Sequence, residues 1–320
     1  MKKNKIKDTG LEVTELSFGT SSLGSMPDTY GYEVPEDRAQ KTLNRFFQGP
    51  VNMLDTSRNY AMGESEKRIG KAIKENGGWP NGFLLSTKLD RNMDTLVLDK
   101  NRVRESLEES LKTLNVDSVD ILFLHDPEYA KDITDITKKD GAMDELFKIK
   151  NEGLAKAAGV AMGKVDIMFP LLKDWDFDVI INHNRYTLLN REANEMYDYA
   201  SSKNIAIFNA APYAGGVLAK GPDNFKKITY QDATEDKLAP AREFEKVCKK
   251  HNVELGAAAL QFSLRDNRIT STICGVTSVE SIEKNLAWAN TNIPEEFWNE
   301  VLKLPYSTKD PESERNFTPG

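Results

Sequence analysis

The segment from Phe83 to Asp126 reads FLLSTKLDRNMDTLVLDKNRVRESLEESLKTLNVDSVDILFLHD, and the order of its elements decides the fold class. It begins with one apolar run, Phe83 to Thr87, and closes with another, Val119 to Leu124. Between them, apolar residues recur every three or four positions from Val103 to Leu114, which is the spacing of a helix with one buried face. Two buried strands joined through a helix predict a right-handed βαβ unit in a parallel sheet.

The same alternation of apolar runs and helical segments continues along the chain. Most runs are apolar almost throughout, which is typical of parallel strands buried on both faces. Eight such units within 320 residues favour a closed TIM (β/α)8 barrel, and a doubly wound open sheet is the alternative. The eight candidate strands are Leu16 to Phe18, Val51 to Leu54, Phe83 to Thr87, Val119 to Leu124, Ala155 to Val160, Val179 to Ile181, Ile205 to Phe208 and Thr270 to Cys274.

Three segments depart from this alternation. Asp8-Thr9-Gly10, between two short β-prone stretches, predicts an N-terminal β-hairpin over Lys5 to Thr14 that caps the bottom of the barrel. The polar segments from Tyr213 to Asp236 and from Leu304 to Gly320 have the length of functional lids or disordered segments. No break in composition marks a domain boundary, so a single domain over residues 1–320 is predicted. A helix is expected to begin at Pro35 as its first residue.

The composition excludes several classes of function. A net charge of −7 argues against a general affinity for nucleic acid or for an anionic membrane, because both require a cationic surface. No apolar segment approaches the length of a membrane span. Two cysteines, Cys248 and Cys274, suit a reducing compartment, so a cytoplasmic location is predicted. Three histidines without metal-ligand spacing give no support for a metal site. The oligomeric state stays open between a monomer and a weak homo-oligomer.

Three polar residues follow consecutive candidate strands. Asp55, Lys88 and His125 each come directly after an apolar run, and they lie about one βα unit apart in the sequence. Tyr60 lies in the loop that follows Asp55. Because the active sites of (β/α)8 barrels form at the carboxyl ends of the strands, we expect these four side chains at one mouth of the barrel.

The four groups form a coherent acid–base site. A free phenol has a pKa of about 10, and a neighbouring buried ammonium is expected to lower that of Tyr60. Asp55 would pair with Lys88 and orient it, while His125 would hydrogen-bond a reacting oxygen. Any one such residue at a strand end is more often structural than catalytic. Together, the four predict proton transfer to or from a carbonyl or alcohol oxygen.

The motifs around these residues resemble those of the aldo-keto reductases. Asp55-Thr56-Ser57-Arg58-Asn59-Tyr60, followed by Gly63-Glu64-Ser65-Glu66 and Ile69-Gly70, is similar to one family signature. Ser86-Thr87-Lys88 and Leu124-His125-Asp126 are similar to two others, and the resemblance runs from Leu16 to Asn285. It implies that Asp55, Tyr60, Lys88 and His125 form the catalytic tetrad. It also implies a nicotinamide cofactor that lies extended across the barrel mouth, without a Gly-x-Gly-x-x-Gly loop.

Two further stretches resemble one branch of the family. Asn184 to Leu189 and Asn209 to Tyr213 look like the branch of D-threo-aldose 1-dehydrogenase (also called L-fucose dehydrogenase), L-galactose dehydrogenase and pyridoxal 4-dehydrogenase. This resemblance implies a small-molecule substrate such as a free aldose, oxidised at its anomeric hydroxyl to a lactone. Two alternatives remain: an NADPH-dependent reductase of aldehydes and ketones, and a redox-sensing regulatory subunit with little turnover.

The sequence departs from the family pattern where the nicotinamide would lie. Many members hold its amide with Ser-Asn after the fifth strand, but this chain has Gly159-Val160-Ala161-Met162-Gly163 there. Asn182 or Asn184 is therefore expected to supply those contacts. Ala210 stands where many members carry a tyrosine that stacks on the nicotinamide, and Tyr213 or Phe208 could take its place.

The positions that select between NAD and NADP also differ. Members that prefer NADP carry basic residues where this chain has Gly275 and Ser281, and Glu280 suits a ribose hydroxyl better than a phosphate. Lys284 could still pair with a phosphate. NAD is therefore the expected cofactor, with NADP possible. The residues predicted to contact it are Gly19, Asn182, Asn184, Asn209, Ala211, Pro212, Tyr213, Gly275, Thr277, Ser281 and Asn285.

Overall fold

A computed structural model describes residues 1–315 and contains a closed barrel of eight parallel strands. Each of the eight predicted strands is present, and the last pairs with the first, with Cys274 opposite Phe18. The predicted (β/α)8 barrel is thus confirmed and the open sheet is excluded. The strands are β1 (Leu16–Gly19), β2 (Met53–Asp55), β3 (Leu84–Leu89), β4 (Val119–His125), β5 (Ala155–Met162), β6 (Val179–His183), β7 (Ala206–Ala210) and β8 (Ile269–Gly275).

Helices surround the barrel and cover its outer face. The first of the longer helices begins at Glu36 and not at Pro35 as predicted, because Pro35 has the extended backbone of an N-cap residue. Short helices over Pro27–Tyr30, Thr134–Thr137 and Val217–Lys220 lie in loops. The longer helices are α1 (Glu36–Phe47), α2 (Glu64–Glu75), α3 (Lys100–Leu114), α4 (Ala142–Asn151), α5 (Val165–Asp174), α6 (Asn194–Ser202), α7 (Glu235–Lys250), α8 (Leu255–Leu264), α9 (Val279–Ala289) and α10 (Glu295–Val301).

The predicted N-terminal hairpin closes the bottom of the barrel. Its strands, Lys3–Lys5 and Glu12–Thr14, pair in antiparallel fashion. Ile6, Leu11 and Val13 are buried and belong to the same apolar cluster as Phe123 and Phe208 inside the barrel. This end is therefore filled with side chains, and the opposite end, where the strands carry their carboxyl termini, is left for a site.

Alternation along each strand decides which side chains reach the barrel interior. In β3, Leu84 belongs to the interior apolar cluster, whereas Leu85 and Leu89 pack outward against the helices. Because side chains alternate between the two faces, Lys88 shares the inward face with Leu84. The polar residue at the end of β3 is thereby directed into the mouth of the barrel.

The two long polar segments are ordered over the residues described. The segment after β7 contains the helix Val217–Lys220 and a ribbon of Lys227–Ile228 with Gln231–Asp232. The C-terminal segment runs back to the mouth, where Ser307 donates its backbone N–H to the carbonyl of Leu189. Residues 316–320, which the predicted tail and the predicted single domain include, lie outside the described residues. Within residues 1–315, no helix combines the length and apolar character needed to cross a membrane.

Candidate active site

A cavity of about 480 Å³ opens at the carboxyl ends of the strands. Its walls come from the strand ends, from the loops after β1, β2 and β7, and from α9. All four predicted catalytic side chains reach it: Asp55, Tyr60, Lys88 and His125. The barrel therefore brings together residues that are up to 70 positions apart in the sequence.

Asp55 and Lys88 form a buried ion pair at the base of the cavity. The Lys88 ammonium donates to both Asp55 carboxylate oxygens, with N–O distances of 2.9 and 2.8 Å, and to the carbonyl of Thr56 at 2.6 Å. The Ser86 hydroxyl donates to Asp55 Oδ1 at 2.7 Å. The pair is therefore fully hydrogen-bonded, as a buried pair of charges must be.

Tyr60 lies directly above this pair. The Lys88 Nζ atom is 4.6 Å from the centroid of its ring. The His125 ring meets it edge-on, with 5.8 Å between centroids and an interplanar angle of 81°. The loop then turns sharply, because Ala61 and Met62 both take left-handed backbone conformations. The phenol, the imidazole and the ammonium thus surround one region of the cavity.

The ionisation of Tyr60 differs from the prediction. Burial, followed by the negative charge of Asp55 and those of Asp126 and Asp90 near His125, raises the pKa of the phenol well above its usual value. The predicted lowering by Lys88 is wrong for this structure, because burial dominates and the carboxylate of Asp55 neutralises that ammonium at hydrogen-bonding distance. The phenol is therefore protonated and ready to donate.

The imidazole of His125 is held from behind by a carboxylate. Its Nδ1 atom lies 2.5 Å from Asp90 Oδ1 and 3.1 Å from the Ser57 hydroxyl. Burial alone would lower the pKa of His125, but the negative charges of Asp126 and Asp90 outweigh it and raise the pKa. The imidazolium is accordingly favoured over a wider pH range than in a free histidine.

Asp90 was absent from the sequence prediction. It follows β3 directly, and none of its surface is exposed. The signal that could have found it is the alternation of β3: a residue two positions after Lys88 shares its inward face. Asp90 is therefore a second buried acid next to the Asp55–Lys88 ion pair.

One part of the cavity suits an extended cofactor. Gly275 faces open space there, since a Cβ added to it would meet no atom within 4 Å. The groove ends at the N-terminus of α9, where the helix dipole favours an anion such as a diphosphate, and Lys284 lies beside it. These residues fit a dinucleotide. Seven of the predicted contact residues line the cavity: Gly19, Ala211, Tyr213, Gly275, Thr277, Ser281 and Asn285.

The remaining predicted contacts do not line the cavity. Asn182 donates to the carbonyls of Met162 and Gly163, and Asn184 donates to Glu312. Asn209 points outward, where its amide bonds the carbonyl of Tyr186 and the hydroxyl of Ser263. Pro212 is also outside the lining. These four residues therefore do not line the cavity, and their contact with the cofactor stays a prediction.

The two candidates for stacking on the nicotinamide, Phe208 and Tyr213, differ in whether they reach the cavity. Phe208 is fully buried inside the barrel beside Phe123. Tyr213 lines the cavity, but its ring packs against Trp288 and its hydroxyl donates to Asn285. Of the two, only Tyr213 can contact a ligand, and it does so next to α9.

The opposite part of the cavity combines aromatic and polar side chains. The rings of Tyr30 and Tyr32 stack with 6.0 Å between centroids, and the ring of Tyr230 meets Tyr30 edge-on at 6.0 Å. Asp126 and His183 add polar groups to the same lining. Such a wall can hold a compact molecule by its apolar faces while bonding its hydroxyls.

A short C-terminal segment, residues 310–315, closes the rim of this part. Arg185 is 1% exposed and pairs with Asp310 at 2.6 Å and Glu312 at 2.7 Å. Burial opposes ionisation of Glu312, but His183 and Arg185 outweigh it and hold its pKa well below the usual range. Arg315, the last described residue, lies over the Tyr230 ring at 5.1 Å. We call this segment the C-terminal strap.

Comparison with known proteins agrees with this geometry. The aldo/keto reductase family model matches residues 15–304. L-galactose dehydrogenase of Arabidopsis thaliana is 31% identical over 284 residues, covering 88% of this chain and 85% of that protein. The chain therefore belongs to the aldo/keto reductase family and is an NAD(P)-dependent oxidoreductase.

Other relatives fall in the predicted branch. D-threo-aldose 1-dehydrogenase of a Pseudomonas species is 27% identical, covering 92% of this chain and 94% of that protein. Pyridoxal 4-dehydrogenase of Microbacterium luteolum is 26% identical, with coverages of 92% and 95%. Among solved structures, a holo aldo-keto reductase from Bacillus halodurans has the same fold, with a TM-score of 0.79, 21% identity and coverages of 98% and 99%.

Replacing Tyr60 by Phe removes the hydroxyl and keeps the ring. We expect turnover to fall by about 100- to 10,000-fold, the usual contribution of a positioned acid or base. Affinity for the nicotinamide cofactor should stay near that of the unmodified protein, since the groove beside α9 is untouched. Steady-state kinetics and a cofactor titration by fluorescence measure the two effects. Unchanged turnover would remove Tyr60 from the chemistry.

Replacing Glu312 by Gln leaves the buried Arg185 without one of its carboxylates. We expect the free energy of unfolding to fall by about 3 kcal/mol at neutral pH, as for other broken buried pairs. A carboxylate with a lowered pKa stabilises the fold above its ordinary pKa and ceases to do so as the pH falls towards the folded value. The difference between variant and parent should therefore shrink in acid. Glu314→Gln, at an exposed ion pair, is the matched control.

Proposed function

We propose that this enzyme catalyses reversible hydride transfer between a nicotinamide and an alcohol or carbonyl carbon, with Asp55, Tyr60, Lys88 and His125 as its acid–base site. The observation that carries the proposal is the placing of the phenol and the imidazole around one region, above a buried ammonium–carboxylate pair. That region adjoins the groove suited to a dinucleotide. We further propose oxidation of a free aldose to its lactone, with NAD.

Each of the four side chains has one task in this mechanism. The nicotinamide, when bound, accepts or supplies the hydride at its C4 atom. Tyr60 transfers the proton: in oxidation its phenolate oxygen, formed once the phenol has given its own proton to solvent, takes the proton of the substrate alcohol, and in reduction its hydroxyl gives a proton to the carbonyl oxygen. His125 binds the same oxygen through Nε2 and so fixes the reacting carbon. Asp55 holds the Lys88 ammonium in place, and the ammonium in turn lies against the Tyr60 ring and fixes its position.

An aldose as substrate is supported by the lining and by the relatives. The stacked rings of Tyr30 and Tyr32 match the apolar faces of a sugar ring. Asp126 and His183 can bond its hydroxyls. L-galactose dehydrogenase and D-threo-aldose 1-dehydrogenase are named for sugars, and both are similar over most of this chain.

NAD as cofactor is supported by the start of α9. Glu280 is in its first turn, where a carboxylate would repel a ribose phosphate and accept from a ribose hydroxyl. A hydrogen bond from Ser278 lowers the pKa of Glu280, so the carboxylate is charged at neutral pH. Lys284 lies nearby in the cavity lining, where its ammonium could pair with the extra phosphate of NADP. The proposal therefore includes some activity with NADP.

A cytoplasmic location and a monomer or weak homo-oligomer are part of the same proposal. Both cysteines, Cys248 and Cys274, are buried and unbridged, as suits a reducing compartment. The predicted single domain is supported by the family model, which matches residues 15–304 as one unit.

Reduction of aldehydes is the second candidate, and the state of Tyr60 favours it. The phenol is protonated in this structure, so it can donate to a carbonyl oxygen without a prior ionisation. The same four residues serve either direction. A regulatory role with little turnover fits less well, because all four groups of the acid–base site are in place.

An activity screen separates these candidates. Purified protein should reduce NAD when offered L-galactose, L-fucose or D-arabinose, followed as the absorbance of the reduced cofactor, with pyridoxal as a further arm. Turnover of one sugar with a higher kcat/KM than any simple aldehyde would support the aldose dehydrogenase. Inactivity on all of them, with NADPH consumed in the presence of generic aldehydes, would replace it with the reductase.

Removal of the charge at position 280 tests the choice of cofactor. We expect Glu280→Ala to raise kcat/KM for NADP several-fold and to leave kcat/KM for NAD similar or lower, because a repulsion near the ribose is lost. Glu283→Ala, on the same helix but paired with Arg45, is the matched control. Preference for NADP in the unmodified protein would contradict the assignment of NAD.

A further inference from the structure

Asp90 is a buried acid behind the cavity, and both of its carboxylate oxygens accept hydrogen bonds. Its side chain is fully buried, directly after β3. One oxygen, Oδ1, accepts from His125 Nδ1 at 2.5 Å. The other, Oδ2, accepts from the Ser57 hydroxyl at 2.7 Å and from the backbone N–H of Asn59 at 3.1 Å. One carboxylate thus holds the imidazole on one side and the loop before Tyr60 on the other.

The first bond fixes the protonation of the imidazole. A carboxylate only accepts hydrogen bonds, so the Nδ1 atom facing it carries the proton. The Nε2 atom is then turned away from Asp90, towards the cavity, where it lies 3.7 Å from Asp126 Oδ2. Nε2 carries a proton only in the imidazolium. The charges that face the ring are Asp90 and Asp126, which favour this form, and Lys88, which opposes it.

The second pair of bonds fixes the loop that carries the phenol. Asn59 precedes Tyr60, and Ser57 accepts the Tyr60 backbone N–H through its carbonyl at 3.2 Å. The Ser57 hydroxyl and the Asn59 backbone N–H both donate to Asp90 Oδ2. Beyond Tyr60, Ala61 and Met62 take left-handed conformations and Met62 is 82% exposed. The carboxylate of Asp90 restrains the loop on the side that leads into Tyr60.

We propose that Asp90 is a positioning residue that holds His125 as an Nε2–H donor to the reacting oxygen and, through Ser57 and Asn59, sets the distance between that donor and the phenol of Tyr60. The proposal rests on the proposed acid–base site but not on an aldose as substrate. In the reductive direction the carbonyl oxygen receives the proton of Tyr60, while the proton on Nε2 stays on the imidazole.

The test replaces Asp90 by Asn, with Asp94→Asn as the control. Asn has nearly the same shape but offers one amide nitrogen that cannot accept a hydrogen bond. Asp94 is an exposed acid of the same loop. Because the chain has three histidines, ¹⁵N-labelled histidine gives a simple NMR spectrum in which the signals of His125 are assigned by their loss in His125→Gln. Kinetics in the reductive direction with a simple aldehyde, and cofactor titration by fluorescence, complete the measurements.

We expect Asp90→Asn to lose the downfield Nδ1 proton signal of His125 and to lower kcat for aldehyde reduction on the order of 100-fold or more, as when other acids behind an active-site histidine are replaced. The alkaline limb of the kcat/KM profile should move to lower pH, because the pKa of His125 is raised while Asp90 is charged. Cofactor affinity should change little, and Asp94→Asn should match the unmodified protein.

Two results would overturn the proposal. One is a kcat within about twofold of the unmodified value after the Nδ1 signal is lost. The other needs no variant: an unprotonated Nδ1, or a His125 that titrates below its ordinary pKa, in the unmodified protein. The second result remains decisive even if Asp90→Asn fails to fold. A purely structural role would lower stability without moving the pH profile.

Failure of this proposal is distinguishable from failure of the proposed function. The NMR signals report on His125 whether or not any substrate is turned over. Suppose the unmodified protein is inactive on every sugar but active on the simple aldehyde, with an intact Nδ1 proton signal. That result would rule out an aldose as the substrate and would leave the role of Asp90 in positioning His125 unchanged.

Discussion

The buried ion pair of Asp55 and Lys88 is the interaction on which the site depends. Two charges removed from water cost several kcal/mol each, and the fold can hold them only if every bond is made. Here the ammonium has three acceptors and the carboxylate has a second donor in Ser86, all on adjoining strands or the loop after β2. The parallel register of β2 and β3, with Asp55 opposite Ser86, brings these groups together. The ring of Tyr60 then rests on a charge whose position is set by the barrel.

A second buried acid, Asp90, holds the imidazole of His125 as the Asp55–Lys88 pair holds the phenol of Tyr60. Asp90 follows Lys88 on the inward face of β3, so a single strand directs a cation at one catalytic group and an anion at another. Burial opposes the charge on Asp90, but the charge and hydrogen bonds of His125 and Ser57 outweigh it and lower its pKa. Tyr60 and His125, which would bind one reacting oxygen, are therefore held by opposite charges that come from β3 and the residue directly after it.

The differences between prediction and structure have a common cause. Asn182 and Asn184 were expected to hold the nicotinamide amide and Asn209 to contact the cofactor, yet each amide nitrogen donates to neighbouring backbone or side-chain groups. The expected lowering of the Tyr60 pKa considered the nearest cation but not the burial of the phenol, which is the largest cause of the raised pKa. In each case the sequence identified a polar group at the mouth but not its surroundings, which come from other strands and loops.

The sequence by itself determined a parallel sheet covered by helices and the position of its chemistry, whereas the pairing of β8 with β1 that closes the barrel was decided by the tertiary structure. Runs such as Val119 to Leu124, separated by helices, require a parallel sheet, and a polar residue that directly follows such a run must lie at the carboxyl end. These are local properties of the chain, so Asp55, Lys88 and His125 could be predicted without coordinates. The tertiary structure alone decided that Asp90 lies behind His125, that Glu312 closes the rim against Arg185, and that the Tyr60 phenol stays protonated. Hydrogen-bond partners and charges in a buried site depend on distances between side chains far apart in sequence, which spacing along the chain does not specify.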